Sequence, residues 1–166
     1  MKIVIPGGTG QVGSLIARAA AARGDEAVVI SRGGTSSARV VPWDGRTVGA
    51  WAAEIDGADV VVNLAGRSVN CRYTAENMEA MMSSRVDSTR AVGLAIAEAR
   101  QPPKVWLQMS TATIYAHRFD AANDEATGVI GGSEPDVPAY WGYSVAIAKA
   151  WEKTLEEAAT PETRKV

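Results

Sequence analysis

The chain has 166 residues, 46% of them hydrophobic and 22% charged, with a formal net charge of −2, which suits one globular domain with its own core. Lys and Arg are scattered with no basic run, which argues against nucleic acid or an anionic membrane as partner. The single cysteine, Cys71, and single histidine, His117, exclude an internal disulfide and a cysteine-rich zinc site, imply no bound metal, and point to a reducing cytoplasm.

In chain order, Lys2–Ile5 is a short β-branched run ending at glycines, which predicts a buried strand and a tight turn. The run is too short for a signal peptide, and no window resembles a membrane span. Gln11–Arg23 follows as a helix. Val12, Leu15, Ile16 and Ala19 fall on one face and Gly24 stops it. Glu26–Ser31 is the second strand, Arg32–Ser37 a loop, and Arg39–Trp43 a weaker third strand. Val48, Trp51, Ala52 and Ile55 repeat the helical spacing. Asp59–Leu64 is a strongly apolar fourth strand. A long helix then carries Met82, Val86, Thr89, Gly93 and Ile96 in a stripe and reaches Arg100 before Pro102-Pro103. Lys104–Met109 is the fifth strand. His117–Pro138, rich in Gly, Asp and Pro, is a long loop, and Tyr140–Ala159 a final helix with Ile147, Trp151, Leu155 and Ala158 on one face.

This alternation predicts an α/β fold: a Rossmann-type doubly wound parallel sheet of strand order 3-2-1-4-5 with right-handed crossovers. Residues 1–166 are expected to form one such domain. Thr163–Val166 looks like the approach to a further strand, which predicts a truncated domain whose C-terminal strands and substrate-binding region are missing, leaving the fifth strand as an unpaired edge.

Gly7-Gly8-Thr9-Gly10-Gln11-Val12-Gly13 satisfies G-x-x-G-x-x-G and, from Gly8, G-x-G-x-x-G. It follows a strand and opens a helix, the context in which such glycines cradle a pyrophosphate at free helix N–H groups. NAD binding would call for a carboxylate at the end of the second strand. Ser31-Arg32 stands there instead. A hydroxyl and a guanidinium favour the 2′-phosphate of NADP over NAD.

The glycine motif, Asn63-Leu64-Ala65-Gly66 and Ser110-Thr111-Ala112-Thr113-Ile114-Tyr115 resemble the extended short-chain dehydrogenases/reductases. Trp43-Asp44-Gly45, the run Ser84–Arg90 and Ala150-Trp151-Glu152 narrow the resemblance to an atypical branch, the NAD(P)-dependent sugar-nucleotide epimerase-like proteins. Members are roughly twice this long, so the resemblance covers an N-terminal portion. It implies that Leu64, Ala65 and Gly66 pass beside the adenosine, that Trp43 and Asp44 lie near the adenine, and that Ser110 sits by the nicotinamide. Thr111 takes the position that hydrogen-bonds a substrate oxygen. The implied reaction is that of an NADP-dependent oxidoreductase or epimerase on a sugar nucleotide or small carbonyl compound. Paired long helices imply a homodimer.

The resemblance breaks where the chemistry needs Tyr-x-x-x-Lys, a proton donor and a cation on one helix face. The chain reads Trp141-Gly142-Tyr143-Ser144-Val145, and neither Trp nor Val can shuttle a proton. Substitutes are Tyr115 after the fifth strand and Lys149, one turn beyond Val145 and about 6 Å farther along the helix. Tyr140, Tyr143, His117 and Asp120 are further candidates. Arg67, Asn70 and Arg72 could recognise an anionic substrate, and Arg85 replaces an Asn often found on the middle helix. The alternative function is a non-catalytic NADP-binding sensor or scaffold; a third reading is a truncated piece with no activity of its own.

Overall fold

The computed structural model describes residues 1–135 and 137–166; Asp136, inside the predicted loop 117–138, lies outside the described residues. Six strands form one parallel sheet: β1 (Lys2–Pro6), β2 (Glu26–Ser31), β3 (Arg39–Pro42), β4 (Val60–Asn63), β5 (Val105–Gln108) and β6 (Arg164–Lys165), in the order β3-β2-β1-β4-β5-β6. Three helices connect them: α1 (Gln11–Ala22), α2 (Ala75–Glu98) and α3 (Ala139–Glu156). The expected Rossmann-type sheet is present, with one strand more than the predicted 3-2-1-4-5. The end of the chain pairs Val105 with Arg164 and Trp106 with Lys165, so β5 is not the sheet edge and the unpaired edge expected there is covered.

The strands are near-continuous apolar runs because both faces of a parallel sheet are buried. Alternation sorts them. Val4, Val28, Ile30, Val61 and Trp106 face one layer with Val92 and Ile96 of α2 and with Trp51 and Ile55. Ile5, Val29 and Val62 face the other with Ala17 of α1. The order in which the chain connects the strands reverses between β1 and β4, and such a switch point opens a crevice at the C-terminal strand ends.

Four helical expectations are corrected. On α1 the buried residues are Gly13, Ala17 and Ala20, while Val12 and Leu15 of the predicted stripe are 46% and 52% exposed. The phase is set by Gly13: a Cβ there would lie 2.3 Å from the Gly8 carbonyl oxygen, so the helix turns its smallest residues, not its bulkiest, to the sheet. The segment around Trp51 is only a 3₁₀ turn, Ala50–Glu54. On α2 Met81, not Met82, is fully buried, Thr74 caps the N-terminus by accepting from the Asn77 N–H, and the helix ends at Glu98. The α2 Gly93 lies against Ala158 and the ring of Trp106, which is 0% exposed; α3 ends at Glu156. Among the described residues no helix is long and apolar enough to cross a membrane, and no cluster of ligating side chains could hold a metal ion.

Candidate functional site

An open cavity of about 430 Å³ lies at the C-terminal ends of β1, β2, β3 and β4. Gly7 and Gly10 come from the β1–α1 turn, Ser31 and Arg32 from the end of β2, Trp43 and Asp44 from the end of β3, and Leu64, Ala65 and Gly66 from the end of β4. All nine were candidates on sequence, and the fold brings them to one place. Gln11, Val12 and Gly13 do not line the cavity. They form the first turn of α1, whose N-cap Gly10 has no side-chain cap and which carries no acidic residue. Their N–H groups have no partner within the helix, as in any first turn, and so suit an anion.

The turn is tight because Gly7 has φ of +77° and its missing side chain would lie 2.6 Å from the Ala65 backbone. The Gly7 N–H donates to Ile30 at 2.8 Å, tying the turn to β2. Ser31 is spent on structure. Its hydroxyl lies 2.9 Å from the Thr9 hydroxyl and donates to the Gly33 carbonyl at 2.8 Å. Arg32 instead runs its aliphatic stem over Gly45, whose φ is +83°. It makes no ion pair among the described residues.

Asp44 organises the next loop. Its carboxylate accepts from the Arg46 N–H at 2.8 Å, the Thr47 N–H at 2.9 Å and the Thr47 hydroxyl at 2.6 Å. These bonds, the Thr47 hydroxyl above all, hold its pKa down at about 2. The Thr47 carbonyl then accepts from both Trp43 Nε1 at 2.8 Å and Trp51 Nε1 at 2.9 Å, with ring centroids 4.8 Å apart. This loop presents Arg46, a cavity residue with no ion pair among the described residues that the sequence reading missed. The signal was there: an Asp two and three residues before N–H groups it can bond is an Asx turn.

The predicted catalytic residues lie outside this cavity. Thr111 caps the 3₁₀ turn Ala112–Ile114, accepting from the Thr113 N–H and donating to its hydroxyl at 3.0 Å. The Ser110 hydroxyl donates to Glu152. The Tyr115 ring packs on the Gly128 backbone, and its main chain bridges Ile130. Lys149 is exposed. Tyr143 donates its hydroxyl to the Met78 carbonyl at 2.7 Å, and burial pushes its pKa up. Tyr140 stacks near Tyr73, and Asp120 is paired with Arg118. His117 lies 5.1 Å from Trp141 and 6.0 Å from Phe119. Arg67 lines the cavity and donates to Asn77, whereas Asn70 and Arg72 do not line it.

The sequence pattern of the NAD dependent epimerase/dehydratase family matches residues 3–146, most of the chain. The chain belongs to the NAD dependent epimerase/dehydratase family. Within reach of it are the epimerase family proteins SDR39U1 of Bos taurus, 31% identical over 75% of this chain and 42% of the relative, and YfhF of Bacillus subtilis strain 168, 30% identical over 76% and 44%. The chain thus spans less than half the length of these curated relatives. Human SDR39U1, solved with NADPH, superposes with a TM-score of 0.79 at 27% identity, covering 99% of this chain and 52% of that one. The UDP-N-acetylglucosamine 4-epimerase of Bacillus cereus shares the fold, with a TM-score of 0.70 at 18% identity.

Set in this epimerase/dehydratase frame, positions 141 and 145 are filled by packing. Val145 is 1% exposed, and a Cβ on Gly132 would lie 3.2 Å from its Cβ; the loop occupies the space over the helix there. Trp141 stacks on His117, and its buried Nε1 has no partner among the described residues. Neither position offers a titrating group.

Proposed function

We propose that this chain is the NADP-binding portion of an oxidoreductase or epimerase that acts on a nucleotide sugar or small carbonyl compound. One observation carries the cofactor preference: Arg32 and Arg46 border the same cavity, and neither has a carboxylate partner among the described residues. Two unpaired guanidinium groups match the dianionic 2′-phosphate of NADP and gain nothing from the 2′-hydroxyl of NAD. The glycine turn fits the group: at Gly10, a wall of the cavity, the place a side chain would take is open, the nearest atom being the Gly7 carbonyl oxygen at 3.9 Å. The human relative solved with NADPH supports the same choice. Gly7, Gly10 and the N–H groups of Gln11, Val12 and Gly13 would hold the pyrophosphate, Arg32 and Arg46 the 2′-phosphate, and Trp43, Leu64, Ala65 and Gly66 the adenosine. The cofactor supplies hydride chemistry. Ser110 would stand near the nicotinamide, held by Glu152, and Thr111 would bond a substrate oxygen. Tyr115 and Lys149 fill the proton-transfer and ribose roles only if the ring leaves Gly128 and the exposed lysine folds inward.

A second reading, a non-catalytic NADP sensor or scaffold, is favoured by Trp141 and Val145, which cannot exchange protons. Titration with NADPH and NADH, followed by nicotinamide fluorescence, tests the cofactor assignment: NADPH binds more tightly, and equal affinity removes the 2′-phosphate argument. Oxidation of bound NADPH on addition of carbonyl or nucleotide-sugar substrates then separates the enzyme from the sensor. The homodimer implied by the resemblance is read by sedimentation; the groove between α2 and α3 beside Leu94, which is 49% exposed, is the face to disrupt.

A further inference from the structure

Arg85, on α2, is half-buried without a carboxylate counter-charge. No carboxylate lies within ion-pair distance of it among the described residues, and burial lowers its pKa, with only the Tyr73 phenol acting against the shift. Of its five N–H groups, one has a protein acceptor, the Met81 carbonyl at 2.9 Å in the preceding turn. None of its nitrogens is a buried orphan, so the remaining donors open to solvent. Its position is fixed from behind. The guanidinium carbon sits 5.0 Å from the centroid of Trp151, which is 4% exposed and anchored through Nε1 to Thr89 at 3.0 Å. In front is Gly66, a wall of the nucleotide cavity, where a methyl group would come within 3.4 Å of the guanidinium carbon.

A desolvated cation is costly unless something bonds it. Trp151 offsets part of that cost, but four donors are left for a ligand. Val145 removes the lysine of the Tyr-x-x-x-Lys pattern, Gly132 fills the space above it, and Lys149 is exposed. We propose that Arg85 is the replacement cation, delivered from α2 instead of α3, and that it binds an oxyanion, a phosphate or carboxylate, presented across Gly66. A guanidinium holds its proton throughout the accessible pH range, so Arg85 orients and neutralises charge and relays no proton. The oxyanion has two sources: the cofactor's diphosphate, which rests on the cofactor assignment above, or an acidic group of the substrate.

The test compares the wild-type chain with Arg85→Met, which keeps the stem against Gly66 and Trp151, and with Arg85→Lys, which keeps the charge without the fork. Each is titrated with NADPH and with adenosine 2′,5′-bisphosphate, which lacks the nicotinamide half. Melting temperatures are followed with added pyrophosphate and malonate, with and without NADPH. If the diphosphate is the ligand, Arg85→Met weakens NADPH by about tenfold or more and the bisphosphate by less than about twofold, with Arg85→Lys in between. If the substrate supplies the anion, NADPH affinity is unchanged, but pyrophosphate or malonate raises the melting temperature of the wild type and not of Arg85→Met. Arg85 is overturned as an anion site if neither NADPH affinity nor any anion-induced shift depends on residue 85. A wild type that binds neither NADPH nor the bisphosphate sinks the cofactor assignment instead, and the anion shifts without NADPH still decide Arg85.

Discussion

At Gly7 the backbone and the binding chemistry make the same demand. A side chain there would strain a φ of +77° and collide with Ala65. Gly7→Ala is therefore expected to cost about 1–3 kcal/mol of stability and to weaken NADPH by about tenfold or more in a fluorescence titration. Arg32→Ala and Arg46→Ala should each lower the NADPH-to-NADH affinity ratio by about tenfold while leaving NADH binding unchanged. Asp44 adds a pH dependence. Its pKa is depressed from 3.8 to about 2, so its support of the loop is complete above the unfolded value and is lost as pH falls from about 4 toward 2. The fluorescence of Trp43 and Trp51, whose Nε1 groups both bond Thr47, should report that loss, and Asp44→Asn should show it already at neutral pH. Much of this wall was legible in the sequence because it is local: Gly7, Gly10, Arg32, Trp43, Asp44 and Leu64–Gly66 all follow directly on strand ends. Ser31 also lines the cavity, but its bonds to Thr9 and Gly33 are invisible in a linear string. Arg46 was missed because it reaches the cavity through a loop whose geometry Asp44 sets by bonding the N–H groups of Arg46 and Thr47.

The phase of α1 shows where periodicity misleads at the level of elements. Apolar spacing marks Val12 and Leu15, yet the helix approaches the sheet through Gly13 and Ala17, because the glycine turn holds it too close for larger residues. Leu15→Gln should accordingly change stability by no more than about 0.5 kcal/mol, whereas Ala17→Leu, 1% exposed, should cost about 1–3 kcal/mol by overpacking. Urea unfolding of the two variants checks the assignment. The same competition explains Trp51, where the helical spacing yields only a 3₁₀ turn: its Nε1 is bound to Thr47 at 2.9 Å and the short span to β4 leaves no length for a full helix.

For the whole molecule, parallel topology puts most pairings at long range. Ile3 pairs with Val60, and Val60 with Val105, so no two strands of the sheet can meet through a hairpin. Closing chain segments of this length before contacts can compensate slows folding toward the millisecond-to-second range. The nucleotide cavity draws its walls from β1 and β4 alike, across one of the longest of these closures, at the sheet centre. Competence to bind therefore arrives late in the folding reaction, and a refolding chain should gain helical signal before it gains affinity for nucleotide.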